Sequence, residues 1–232
     1  MPVRVIVRTF SELCLTVGTL IVLFVIYVLF WTGVQADRAM DRQIDRLQDQ
    51  WAEQSLGGDG MGEGGAPLLA RNDGPYKDGE PFAVMYIPRF GFTWNKPVLQ
   101  GTATGTLKKG LGHYARTARL GQKGNFAVAG HRRTHGDPFK DFPELRPGDA
   151  VVLTDGSTWF TYRIERKPYR TLPTDTGVID PVPRKSGYRT PGRYLTLTTC
   201  EPEWGHSHRL IAWARLDATQ PVEAGKPGVL RR

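Results

Sequence analysis

Two cysteines and five histidines are the residues of this chain best suited to covalent and acid–base chemistry. Cys14 lies in an apolar run near the N-terminus, which leaves Cys200 as the one thiol of the polar part of the chain. Cys200 ends the segment Tyr194-Leu195-Thr196-Leu197-Thr198-Thr199-Cys200, which alternates like a β-strand, and Arg209 follows nine residues later. A thiolate attacks carbonyl carbon, whereas a free thiol is mostly protonated at neutral pH, so Cys200 needs a base or a cation beside it. In an oxidising compartment a lone thiol with no chemistry to do is a liability.

His131 follows the apolar run Asn125–Ala129 and Gly130, a position where the rim of a β-barrel would face a substrate. His113 sits in Gly112-His113-Tyr114, His135 comes four residues after His131, and His206 and His208 lie in the loop after the cysteine. Arg209 opens the run Arg209–Leu216, and a hairpin through Glu201–His208 would bring it opposite Cys200. A permanent cation there can donate to a carbonyl oxygen or an oxyanion, although an edge arginine in a surface pair is the plainer reading. His131 and His135 have the spacing of a zinc pair, to which Cys200, His206 and His208 could add donors. The intervening Arg132, Arg133 and Thr134, the bracketing Gly130 and Gly136, and the lack of a second thiolate argue against such a site. Asp175 and Asp180 are too sparse for calcium. No metal and no cofactor is expected.

These residues must be held by elements, and the chain divides clearly. Residues 13–34 are almost unbroken apolar sequence, and about 20 such residues cross a bilayer as a helix. Tyr27 and Trp31 lie toward the far end, where amphipathic rings favour the interface. Val34-Gln35-Ala36 resembles a signal cleavage site, but the run exceeds the ~7–15 apolar residues of a signal peptide. A retained anchor over 13–34 is therefore expected, after a short cytoplasmic tail over 1–12. Arg4 and Arg8 on one side and Arg38, Arg42 and Arg46, interleaved with Asp37, Asp41 and Asp45, on the other do not decide its orientation. A short tail before one long apolar segment is the layout of a signal anchor, which places the bulk of the chain outside the cell. Residues 35–80 are expected to form a solvated polar stalk helix over Asp37–Gln54, with Ile44, Leu47 and Trp51 on one face, and then a glycine-rich tether over 57–65.

The folded domain is expected over 81–217, with a flexible C-terminal tail over 218–232. Short apolar runs punctuated by Gly, Pro and Asp recur through it, Asp155-Gly156 marks a hairpin, and long helical periodicity is absent. That pattern predicts an all-β barrel or sandwich, with short helical pieces around Thr106–Leu111 and Pro138–Phe142. The net charge of +8 comes from cations scattered over the domain rather than from a stripe interleaved with aromatics. A nucleic-acid partner is therefore not expected, and a cationic surface near anionic lipid or wall polymer is.

Thr196-Leu197-Thr198-Thr199-Cys200 with Arg209 resembles the TLxTC…R signature of sortases. Asn125-Phe126-Ala127-Val128-Ala129-Gly130-His131 is similar to the segment that supplies the sortase histidine, and Gly112-His113-Tyr114 and Gly121–Asn125 match the run before it. The resemblance covers Phe82–Leu216, and the anchor-and-stalk layout is most similar to class E sortases of actinobacteria. It implies an eight-stranded sortase-type β-barrel with short helices behind one N-terminal transmembrane helix. By motif match Cys200 is the nucleophile, His131 the general acid/base and Arg209 the oxyanion partner, with Thr199 a candidate extra donor and Tyr114 a candidate groove residue. The implied reaction is cleavage of a C-terminal LAxTG- or LPxTG-type sorting signal between Thr and Gly on a surface protein, followed by transfer to a peptidoglycan-precursor amine. The alternatives are another extracellular cysteine peptidase or L,D-transpeptidase, or a non-catalytic membrane-anchored wall-binding domain.

Overall fold

A computed structural model of the chain describes residues 2–56 and 74–231, so the glycine-rich tether expected at 57–65 lies outside the described residues. Helix α1 runs without a break from Pro2 to Leu56, 55 residues, which at 1.5 Å per residue is roughly 80 Å. Its stretch Val3–Tyr27, with a mean hydropathy of 2.1, is long and apolar enough to cross a membrane and buries none of its side chains within the protein. The helix thus already includes the residues expected as a short tail.

Past Val34 the helix changes character. Ala36, Met40, Ile44 and Leu47 are buried and form one stripe at three- and four-residue spacing. Ile44 and Leu47 pack on Val84, with Trp51 and Tyr86 at the margin of the same cluster. Met40 and Asp37 close over Gly136, Trp51 covers Gly156, and the Asp37 carboxylate pairs with Lys96 at 3.0 Å. The stalk is therefore not solvated. Its apolar stripe docks on the barrel because strand β1 is apolar on both faces and its outer side needs cover.

The strands are β1 (Pro81–Tyr86), β2 (Asn95–Gln100), β3 (Leu111–His113), β4 (Gly124–Ala129), β5 (Ala150–Thr154), β6 (Thr158–Ile164), β7 (Tyr169–Thr171), β8 (Arg193–Glu201) and β9 (His208–Pro221). Eight of them pair in the order β6-β5-β1-β2-β3-β4-β8-β9, and β6 pairs with β9 to close the barrel. The three-residue β7 lies on the far edge of the first half of β9. The β2–β3 and β4–β8 pairs are parallel and the others antiparallel. Asp155 Oδ1 accepts hydrogen bonds from the backbone of Ser157 and Thr158 in the expected β5–β6 turn. A short helix α2 occupies Thr104–Leu107, slightly earlier than the expected Thr106–Leu111, because β3 begins at Leu111. The second helical piece is a 3-10 turn at Phe142–Glu144.

Successive side chains of a strand point to opposite faces, and this sorts β4, β8 and β9. Phe126 and Val128, Leu195 and Leu197, and Leu210, Ala212 and Ala214 fill the barrel interior. Tyr194, Ile211 and Trp213 face outward against Val178 and Tyr188 of the β7–β8 connection. Thr196, Thr198 and Cys200 share that outer face.

The C-terminal stretch is not a loose tail. Strand β9 continues to Pro221 along β6, and Val222, Val229 and Leu230 pack on the outward-facing Ala150, Val152 and Trp159. The apolar outer face of β5 and β6 supplies the surface that holds it.

Candidate active site

Strands β4 and β8 lie side by side, point the same way, and pair Ala129 with Thr198. Two residues beyond each partner stand His131 and Cys200, which the parallel register therefore delivers to the same height on the same barrel rim. Two hydrogen bonds hold the segments together past the last pair. The Gly130 N–H donates to the Thr198 carbonyl at 3.1 Å, and the Thr199 hydroxyl donates to the Gly130 carbonyl at 2.8 Å. A Cβ at Gly130 would collide with Phe139 and Leu111, so glycine is required for the histidine segment to lie this close to the core.

His131 and Cys200 line one cavity of about 240 Å3, together with Arg132, Arg133, Trp204 and His206. Cys200 is a free, half-buried thiol. Opposite it across the β8–β9 hairpin stands Arg209, its direct register partner. The guanidinium donates through Nη1 to the carbonyls of His206 and His208, both at 2.9 Å. These are its hydrogen bonds among the described residues, which leaves its other nitrogens available to a bound group.

His131 is half-buried and its ring stacks on that of His135 at 4.9 Å with an interplanar angle of 27°. Its Nε2 is buried without a hydrogen-bond partner among the described residues. Burial lowers its pKa below the usual histidine value, the charges of His135 and Lys108 push the same way, and Asp137 opposes them. A neutral imidazole at pH 7 is the consequence, ready to accept a proton from a thiol. The loop that carries the ring is strained: His135, Gly136 and Asp137 all have positive φ, at 54°, 80° and 47°. Two of the three are non-glycine residues in a conformation that side chains resist, and such a turn persists only where its surroundings fix it. The packing of Met40 and Asp37 on Gly136 is one such restraint.

Two ion pairs that sequence reading missed join the histidine and cysteine segments. Arg132, buried at 8% exposure, pairs with Glu201, and Arg133 pairs with Glu203. The signal was present as two cations directly after His131 and as Glu201 and Glu203 one and three residues after Cys200, but only the register shows that they meet.

The remaining expected residues lie beside the cavity rather than on it. Thr199 is buried and points away from Cys200, its proton given to Gly130. The Tyr114 hydroxyl is 3.0 Å from Thr198 Oγ1 on the outer face, two residues before Cys200. His113 belongs to the core: it is stacked on Phe126 at 4.6 Å and bonded through Nδ1 to Gln100 and through Nε2 to Thr117 and Ala118. Burial drives its pKa down to about 4. His208 Nδ1 contacts Arg170 and Ser207. Asp175 is taken up by Lys185 and Thr171.

The sortase domain family matches residues 85–217 of the chain. The sortase SrtE1 of Streptomyces coelicolor is 36% identical over 96% of this chain, which spans 60% of that relative's length. SrtE2 of the same organism is 33% identical over 95% of the chain and 85% of its own length. Among solved structures, sortase E from Streptomyces avermitilis is 78% identical and superimposes with a TM-score of 0.64 over 67% of this chain and all of its own. Sortase E1 from Streptomyces coelicolor, solved with a tripeptide in the active site, is 37% identical with a TM-score of 0.62 over 66% of this chain and 97% of its own. With the closed eight-stranded barrel and these relatives together, the chain belongs to the sortase family, and sortase E enzymes are among the proteins it is similar to.

Proposed function

We propose that this chain is a membrane-anchored cysteine transpeptidase. Its substrate is a C-terminal sorting signal of the LAxTG or LPxTG type, cleaved between Thr and Gly, and its second substrate is an amine of a cell-wall precursor. The observation that carries the proposal is the parallel register that sets His131 and Cys200 on one cavity, with Arg209 paired to Cys200 on the same face. The sortase E1 relative holds a tripeptide in its active site, which fits a peptide substrate here.

In this scheme the Cys200 thiol gives its proton to neutral His131, and the sulfur attacks the threonine carbonyl carbon. The oxyanion that forms takes hydrogen bonds from the free nitrogens of Arg209. His131 then passes its proton to the glycine nitrogen, the C–N bond breaks, and a thioester remains on Cys200. The acceptor amine attacks the thioester and yields its proton through His131 to the departing sulfur. Thr199 holds the His131 segment through Gly130 rather than donating to the oxyanion, and Tyr114 borders the groove below the cysteine. Helix α1 is the anchor, with the barrel on the outer face of the membrane.

The test is cleavage of an LAxTG-type peptide with transfer to an added amine. The wild-type chain is expected to form the amide product and Cys200→Ala to form none. Equal behaviour of the two would remove the proposal.

A further inference from the structure

Chain directions decide which end of the barrel carries the site. Strand β1 starts beside Gln50 and Glu53, far along α1, and leads into the Phe90–Lys96 segment beside Gly33 and Asp37. It therefore runs toward the membrane-spanning part of the helix. Strand β2 is antiparallel to β1, β3 parallel to β2, β4 antiparallel to β3 and β8 parallel to β4. Strands β4 and β8 thus also end at the membrane-side rim, and His131, Cys200 and the β8–β9 loop stand on it. Strand β9 runs back from that rim and β7 is antiparallel to β9, with Thr171 paired to Arg209. Leu172, the next residue, falls on the same rim.

Height is set by the helix. The stretch Val3–Tyr27 includes Arg4, Arg8 and Glu12, so the bilayer is set against the uncharged stretch from Leu13 to Ala36, 24 residues, after which Asp37 is the first charge. As a helix this stretch is about 36 Å long, against a hydrocarbon core of about 30 Å with headgroup layers of roughly 5–8 Å on each side. The barrel touches α1 at Ala36, Asp37 and Met40, which is where that stretch ends. The rim therefore stands at the level of the headgroups.

Its side chains suit that layer. Outside α1, the exposed large apolar residues among those described are Phe92, Tyr169, Leu172 and Trp204. Phe92, in the segment beside Gly33, Leu172 and Trp204 all lie on the rim, and Tyr169 is in the short strand that leads to it. Trp204 is the most exposed, at 79%, and the guanidinium of Arg133 sits 5.2 Å from its ring centroid. Exposed aromatic and aliphatic side chains confined to one end of a domain mark a surface that is covered in use, and tryptophan favours the bilayer interface. Lys96, Arg132 and Arg133 on this rim are already ion-paired, so the apolar side chains rather than these three cations make the contact.

We propose that the rim bearing the cysteine cavity is seated in the headgroup layer of the bilayer, with Trp204, Leu172 and Phe92 as its interfacial contacts. The cavity then opens toward the membrane plane, and its substrates reach it from the bilayer side. This rests on the anchor reading of α1.

The experiment uses the full chain reconstituted in phosphatidylcholine vesicles whose acyl chains are either brominated or unmodified. Trp204 fluorescence is taken as the difference between wild type and Trp204→Phe. A second probe, Phe92→Trp in the Trp204→Phe chain, reads the other side of the rim. Both probes are expected to lose emission severalfold on brominated lipid, with no change at high salt. A chain that floats with the vesicles while either probe stays unquenched overturns the seating and leaves the anchor intact. A chain that fails to float overturns the anchor reading and the seating with it.

Discussion

Cys200 and Arg209 are register partners across an antiparallel hairpin, and the loop carbonyl of His206 together with that of His208 holds the guanidinium. Arg209→Ala is expected to reduce kcat/KM by roughly 10²–10³, the usual loss for one oxyanion donor, with little change in the unfolding midpoint. A variant of near-normal rate would take Arg209 out of the reaction. His113 gives a prediction of a different kind. Its folded pKa of about 4 lies below the unfolded value near 6.5, so between these two values the unfolded chain binds a proton that the folded chain refuses. Stability is complete above pH 6.5 and falls as the pH drops from 6.5 to about 4, by on the order of 3 kcal/mol. Denaturant titrations of His113→Gln should show a flatter slope across that window, whatever happens to the plateau. At this scale the sequence was most legible: Cys200, His131 and Arg209 stand in motifs whose spacing survives folding. Thr199 was misplaced as a donor because strand parity, not residue type, turns its hydroxyl toward Gly130.

Elements explain what residues alone could not. The parallel β4–β8 pair brings together segments nearly seventy residues apart, and Arg132–Glu201 and Arg133–Glu203 fasten their ends. Glu201→Gln leaves the buried Arg132 without its carboxylate, a change expected to destabilise the chain by up to about 3 kcal/mol. Because the pair also sets the spacing of His131 from Cys200, kcat should fall more than KM rises. Exchanging the charges, with Arg132→Glu and Glu201→Arg together, should recover part of the rate, and no recovery would mean that the pair is structural only. These pairs were illegible because a one-residue slip in register would have separated them. The docking of α1 was also missed, though its sign was there. Strands β1 and β5 are apolar on both faces, as Phe82–Tyr86 and Ala150–Leu153 show, and such strands need cover outside as well as inside. The stripe of Met40, Ile44 and Leu47 and the returning C-terminal segment supply it.

The whole molecule joins a membrane-length helix to a closed barrel, since α1 continues from the apolar span into its packing against the barrel without a break. The barrel could be anticipated from short punctuated strands and from the family resemblance, whereas the end of the barrel that lies toward the apolar span of α1 required the strand directions. Catalysis through Cys200 is the claim on which the rest depends. Intact-protein mass measurement of the full chain, quenched after mixing with an LAxTG-type peptide and no acceptor amine, addresses it most directly. A covalent adduct with the mass of the peptide cleaved after Thr, located on Cys200 and released by hydroxylamine, is the predicted result. Peptide cleavage without such an adduct, or an equal adduct in Cys200→Ala, would contradict it.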